Sequence, residues 1–146
     1  MAIANDKDFK TALSVLDPAR QRQVAARFVE NVLGLCSDVR IAGAVNAARR
    51  ADISDVELAA MYQAVKTASV ETYTQCGRET DWAEQAGHFV AKAALNCVRP
   101  PCPTLAWDAA MAVRMARTCA VIDSGEGSES REAQAQYRIL EAYLTE

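Results

Sequence analysis

Apolar positions recur three and four residues apart along nearly the whole chain, the spacing of one face of an α-helix, and no stretch alternates convincingly as a half-buried strand would. Phe9, Ala12, Leu13 and Leu16 define a short first helix that Asn5 or Asp6 can cap and that ends near Asp17. Asp17-Pro18 then reads as a new start, because proline lacks an N–H that the first turn would leave unbonded. Val24, Ala25, Phe28, Val29, Val32, Leu35 and Cys36 carry this second helix to about Leu35. Ser37 or Asp38 opens a third through Ile41, Ala44, Val45 and Ala48, closed by Arg49-Arg50, whose charge suits the negative end of a helix dipole. Ser54 and Glu57 have capping-box spacing and open a long fourth helix, with Leu58, Met61, Tyr62, Val65, Ser69, Thr72 and Cys76 on one face and Gly77 to stop it.

Thr80 or Glu79 is expected to cap a fifth helix, with Asp81 in its first turn. Trp82, Ala86, Phe89, Val90, Ala93 and Cys97 form its buried arc, and Asp81, Gln85, His88, Lys92 and Asn96 lie opposite. Arg99-Pro-Pro-Cys-Pro103 breaks the chain. The stretch 105–122 is apolar around most of its circumference: Trp107, Met111, Met115 and Ile122 point one way, Val113 and Val121 another. That pattern predicts a central helix covered on both sides. Residues 123–130 have the polar, glycine-containing composition of a mobile surface loop. A last helix from about Glu129 to Leu144 presents Ala133, Tyr137, Leu140 and Leu144. Seven helical segments with mostly short connections predict an all-α, single-domain bundle over residues 1–146, packed as antiparallel hairpins around helix 105–122.

At 146 residues, 51% of them hydrophobic, the chain has the size and the apolar content for one substantial core. A net charge of −3 is too small for a nucleic-acid footprint or a polybasic membrane surface, so neither partner is expected. The N-terminus lacks a basic region followed by an apolar one, and no run approaches the ~18 apolar residues of a membrane span, so the expected location is the cytoplasm. Five cysteines dispersed through helical sequence read as buried thiols, although Cys97 and Cys102 could pair on air oxidation. One four-thiolate zinc site is disfavoured: Cys76 and Cys119 lie near one end of the fifth and sixth helices and Cys97 and Cys102 near the other, about 24 Å away at ~1.5 Å per residue. No Cys-x-x-Cys, His-Glu-x-x-His, phosphate loop or dinucleotide turn is present, and no metal or cofactor is expected.

The candidate chemistry lies among ionisable residues in this apolar setting. Burying a charge without a partner costs several kcal/mol, so Asp108, Arg114 and Arg117 need partners or a pocket. With Glu71, Arg78, Glu79 and Asp81 they form a polar group around the central hairpin. Two readings stay open: a structural arginine–carboxylate network, or a site for an anionic ligand or partner built from Arg114, Arg117, Asp108, Asp81 and His88. His88, the single histidine, is the one imidazole that could move a proton near neutral pH; a surface ring paired with Glu84 is the structural reading.

Several segments resemble a helical family of immunity proteins from bacterial polymorphic toxin systems. They are Leu16-Asp-Pro-Ala-Arg20 followed by Val24-Ala-Ala-Arg-Phe28, the Asp38-Val-Arg40 helix start, Ala83-x-x-Ala-Gly-His88, and a closing run from Gln136 through Leu140 to Tyr143-Leu144. The resemblance implies a small cytoplasmic protein that neutralises a toxin by binding it, without turnover and without catalytic residues. A non-catalytic helical binding protein is therefore the leading expectation. The alternative is an enzyme or small anionic-ligand binder with a polar pocket on the hairpin of the fifth and sixth helices.

Overall fold

The structure, a computed structural model, describes residues 2–76, 81–125 and 131–146, the side chains of 73–76 excepted. Among the described residues the chain forms α1 (Asp6–Ser14), α2 (Pro18–Glu30), α3 (Val39–Arg49), α4 (Asp55–Cys76), α5 (Trp82–Val98), α6 (Leu105–Ser124) and α7 (Glu132–Leu144), with a short 3-10 turn at Leu33–Leu35 and no strand. The fold is all-α. Caps set most of the starts: Asn5 accepts from the Asp8 N–H, Asp17 from Arg20 with Pro18 in the first turn, Asp38 from Arg40, and Ser54 Oγ from Glu57 at 3.1 Å. Asp81 is itself the cap of α5, its carboxylate accepting from the N–H groups of Ala83 and Glu84, where the sequence pointed to Thr80 or Glu79. The second helix stops at Glu30 rather than Leu35, and its remainder tightens into the 3-10 turn, which contains Gly34, a poor helix former.

The α5–α6 hairpin is the centre, with α4 against α5, α2 against both, and α3 between α2 and α4; α7 and α1 close over α6. Small residues make this possible. α5 buries Ala86, Gly87, Ala91, Ala93 and Ala94, and α6 buries Ala106, Ala109, Ala110 and Ala116, so helix backbones approach closely. Gly87 marks one such approach: a Cβ there would sit 3.3 Å from the Leu35 carbonyl oxygen.

That small face corrects the expectation for α6. Its core side is Leu105, Ala106, Ala109, Ala110, Val113, Ala116 and Cys119, whereas Trp107 and Met111 are half-buried and Met115 and Ile122 are 47% and 46% exposed. Close packing selects the alanine flank, and on the bulkier flank α1 packs against Trp107, whose ring lies 6.1 Å from that of Phe9. The last helix is likewise rotated from the expected stripe. It buries Glu132, Gln136, Leu140 and Tyr143, because α6 supplies polar partners for the first two.

Asp123 and Ser124 are helical, and Gly125 ends α6 with φ +71°, its N–H reaching the Ile122 carbonyl. The expected loop therefore starts later; residues 126–130, like the expected stop at Gly77, lie outside the described residues. Since the left-handed conformation costs an L-residue about 1–2 kcal/mol, Gly125→Ala should lower stability by about that amount. An unchanged urea midpoint would contradict this account of the helix end. No helix among the described residues is long and apolar enough to cross a membrane.

Candidate functional site

Two arginines of α6 reach out to the first and last helices. Arg114 clamps Asp6 through both terminal nitrogens, Nη1 to Oδ2 at 3.0 Å and Nη2 to Oδ1 at 2.8 Å, and its Nε donates to Gln136 Oε1 at 2.9 Å. Gln136 is fully buried, and its amide nitrogen donates to the Ala110 carbonyl at 2.9 Å. The Arg114 guanidinium also lies 5.6–6.0 Å from the ring centres of Phe9, Trp107 and Tyr137, within cation–π range. The hydrogen bond from Arg114 holds the Asp6 carboxyl below its usual range against the opposing effect of burial, helped by the Tyr137 hydroxyl at 2.7 Å.

One turn further on, Arg117 Nε donates to Glu132 Oε1 at 2.9 Å and Nη2 to the Asn31 carbonyl at 3.1 Å, while Asn31 Nδ2 donates to Glu132 Oε2 at 2.6 Å. Both guanidiniums thus hold α6 to neighbouring helices. The other residues put forward from sequence have separate partners. Asp108 Oδ2 accepts from Arg99 Nη2 at 2.6 Å and Thr104 Oγ1 at 2.9 Å, beside the α5–α6 turn. Asp81 caps α5. Glu71 pairs with Arg40 at 2.5 Å, and Arg78 and Glu79 lie outside the described residues.

His88 is not on a solvent face, as the helical wheel placed it, but half-buried between α5 and α4, with Nδ1 3.0 Å from Thr72 Oγ1. Burial, and then the charge of Lys92, push its pKa below the ordinary histidine value, against a raising hydrogen bond at the Ser69 backbone. The folded protein then binds fewer protons than the unfolded chain as pH falls below about 6.5, so stability contributed by neutral His88 is present above that pH and lost beneath it. Denaturant midpoints measured from pH 7.5 to 5 should fall less in His88→Gln than in the parent. Parallel curves would remove His88 from the pH response.

Cys36, Cys97, Cys102 and Cys119 are in no disulfide among the described residues, and the pair considered from sequence, Cys97 and Cys102, is not bonded. Burial pushes the Cys97 thiol up to about 12. Among the described residues no three His, Cys, Asp or Glu side chains gather as metal ligands would.

A concave feature among the described residues lies elsewhere. A groove of about 560 Å³ opens between the start of α2, the first half of α4 and the α5–α6 turn. Its walls are Pro18, Ala19, Leu58, Ala59, Tyr62, Val98, Pro100, Pro101 and Leu105, with Arg22, Asp55, Gln63 and Arg99 supplying polarity. None of Arg114, Arg117, Asp108, Asp81 or His88 lines it. Prolines shape the wall because the chain cannot continue a helix through Pro100-Pro101, while Pro18 starts one. Arg22 donates to the carbonyls of Ala48 at 3.0 Å and Arg50 at 2.8 Å, closing the end of α3, and among the described residues Arg99 Nε is buried without a hydrogen-bond partner. The sequence signal was the pair of proline breaks; nothing in it placed them beside the apolar side of α4. Compared with protein-family models, curated proteins and solved structures, the chain matches none.

Proposed function

We propose that this chain is a non-catalytic binding protein that engages a protein partner stoichiometrically and receives an apolar element of that partner in the groove beside the α5–α6 turn. The observation that carries the reading is the groove: about 560 Å³ of preformed concavity with apolar walls and polar groups of both signs, the arrangement of an interface core with its rim. Arg114, Arg117 and Asp108, put forward from sequence as a ligand or partner site, are each engaged in holding helices together. The resemblance to immunity proteins supplies the class of partner, a bacterial toxin neutralised in the cytoplasm.

A second reading, a small anionic ligand in the same groove, draws support from Arg22 and the unpartnered Arg99 Nε. It is weaker, because Arg22 already serves two carbonyls, Arg99 is paired with Asp108, and Asp55 opposes an anion.

The test begins with recovery of the partner from native cells and titration of its activity. Inhibition should end at one equivalent, His88→Ala should leave that endpoint unchanged with folding confirmed by circular dichroism, and Leu58→Arg should weaken binding by about 30-fold or more, the scale of a buried anchor. Loss of partner activity at substoichiometric protein that disappears in folded His88→Ala would overturn the reading in favour of catalysis.

A further inference from the structure

The contact between α1 and the rest of the bundle is built like an interface between two proteins. Phe9 is its fully buried anchor, set among the rings of Phe28, Trp107 and Tyr137. Polar groups surround the anchor: Asp6 meets Arg114 and the Tyr137 hydroxyl, the Ile3 N–H donates to Glu141 Oε1 at 2.7 Å, and Lys10 Nζ lies 5.0 Å from the centre of the Trp107 ring. The partners of these polar groups all belong to α6 or α7. The covalent link to α2 is short, Val15, Leu16 and Asp17, and two of the three are fixed to the bundle. Leu16 is buried, and its carbonyl accepts at 3.2 Å from Gln21 Nε2, which also donates to the Pro103 carbonyl at 3.3 Å. Asp17 caps α2 in the extended conformation that a following proline requires. Val15 is left as the pivot. Its side chain is 78% exposed, and as a β-branched residue it adopts extended backbone readily. Swinging α1 out about Val15 leaves α2 and its ties in place, at the cost of the Leu16 N–H bond to the Leu13 carbonyl, which water can replace.

We propose that the cradle of Phe28, Trp107, Arg114 and Tyr137 accepts α1 from a second copy of this chain, so that two copies exchange their α1 helices. The occupant is defined by the structure itself, because α1 is the segment whose carboxylate and ring the cradle already fits. Docking between chains repeats the side-chain contacts of docking within one chain. What differs is the turn at Val15 and the cost of bringing two chains together, so the exchanged pair gains as concentration rises. Short connections favour such exchange, since few residues hold the helix back on its own chain. Reciprocity closes the assembly at two: each copy gives one helix and fills one cradle. The groove beside the α5–α6 turn has none of these four residues in its walls, so this proposal and the proposed function stand or fall separately.

Removing Val15 from the full chain tests this. With one residue fewer in the link, α1 cannot turn back into its own cradle, while that of a second copy stays within reach. Sedimentation at about 50 μM should then give twice the chain mass, and the α1 amides should remain as protected from hydrogen exchange as in the parent. A second experiment uses Asp6→Arg and Arg114→Glu in separate chains. Each substitution sets like charges together in the cradle, both within a chain and between identical chains, so each variant alone should stay monomeric. Mixed, they should form a one-to-one dimer in which every cradle holds opposite charges, associating at least about tenfold more tightly than either variant with itself. A monomer after removal of Val15, or charge variants that associate no better mixed than alone, would overturn the proposal. If the chain lacking Val15 fails to fold, the mixed charge variants decide by the same criterion.

Discussion

Phe9→Ala is expected to lower stability by about 3–5 kcal/mol, the range for deleting a buried aromatic side chain. Phe9 is fully buried, and its ring centre lies 5.6 Å from that of Phe28, 6.1 Å from Trp107 and 5.3 Å from Tyr137, with the Arg114 guanidinium 5.6 Å away. It is the apolar core of the contact through which α1 reaches α2, α6 and α7. Truncation would leave a cavity between four helices, and rigid rings relax into such a void poorly. The same change weakens the surroundings in which Arg114 holds Asp6, so amide exchange in α1 should accelerate more than exchange in α5. Equilibrium urea unfolding gives the first number and hydrogen exchange the second. A loss under about 1 kcal/mol would show that α1 is attached by its ion pair rather than by its ring.

Arg117→Ala should cost about 2–4 kcal/mol. Glu132 is only 3% exposed, and removing the guanidinium that faces its Oε1 leaves a carboxylate poorly compensated inside the protein. The figure sits somewhat below the ~3–5 kcal/mol of a fully buried pair because the Arg117 side chain is 33% exposed and water screens part of the interaction. A paired replacement separates the cost of breaking the bridge from the value of having it. Arg117→Met with Glu132→Met removes both charges while keeping apolar bulk, and should recover much of the loss. If the double variant is no more stable than Arg117→Ala, loss of the guanidinium's compensation of the buried Glu132 carboxylate is not the source of the penalty.

Helix type and most helix starts were legible because they depend on local chemistry: Asn5, Asp17, Asp38 and Ser54 each serve an N–H within three residues. Which flank of a helix faces inward was less legible. On α6 hydrophobicity pointed to Met115 and Ile122, but closeness of approach is decided by size, and the alanine side packs inward. The same limit applied to α7: Glu132 and Gln136 are not among the expected apolar positions Ala133, Tyr137, Leu140 and Leu144, yet both are buried against Arg117 and Arg114 of α6. That Arg114 or Arg117 must meet a carboxylate followed from the cost of burying charge, and both do. That the carboxylates are Asp6 and Glu132 depends on tertiary assembly. His88 reads as outward on a wheel, yet the wheel holds no knowledge of α4. The groove was illegible for the same reason, being a junction of two turns and a helix distant in sequence.

The attachment of α1 bears on the order of assembly. Asp6 and Arg114 are 108 residues apart, and the Ile3 N–H, which donates to Glu141 Oε1 at 2.7 Å, spans 138. The α5–α6 hairpin closes over a few residues, whereas these contacts require nearly the whole chain to be brought together, and the entropy of closing so long a loop is repaid only once the landing surface exists. α1 is therefore expected to be the last helix of the bundle to dock. In a chevron experiment Phe9→Ala should steepen neither limb but raise the unfolding rate, leaving the refolding rate almost unchanged, whereas a cavity in α5 such as Val90→Ala should slow refolding.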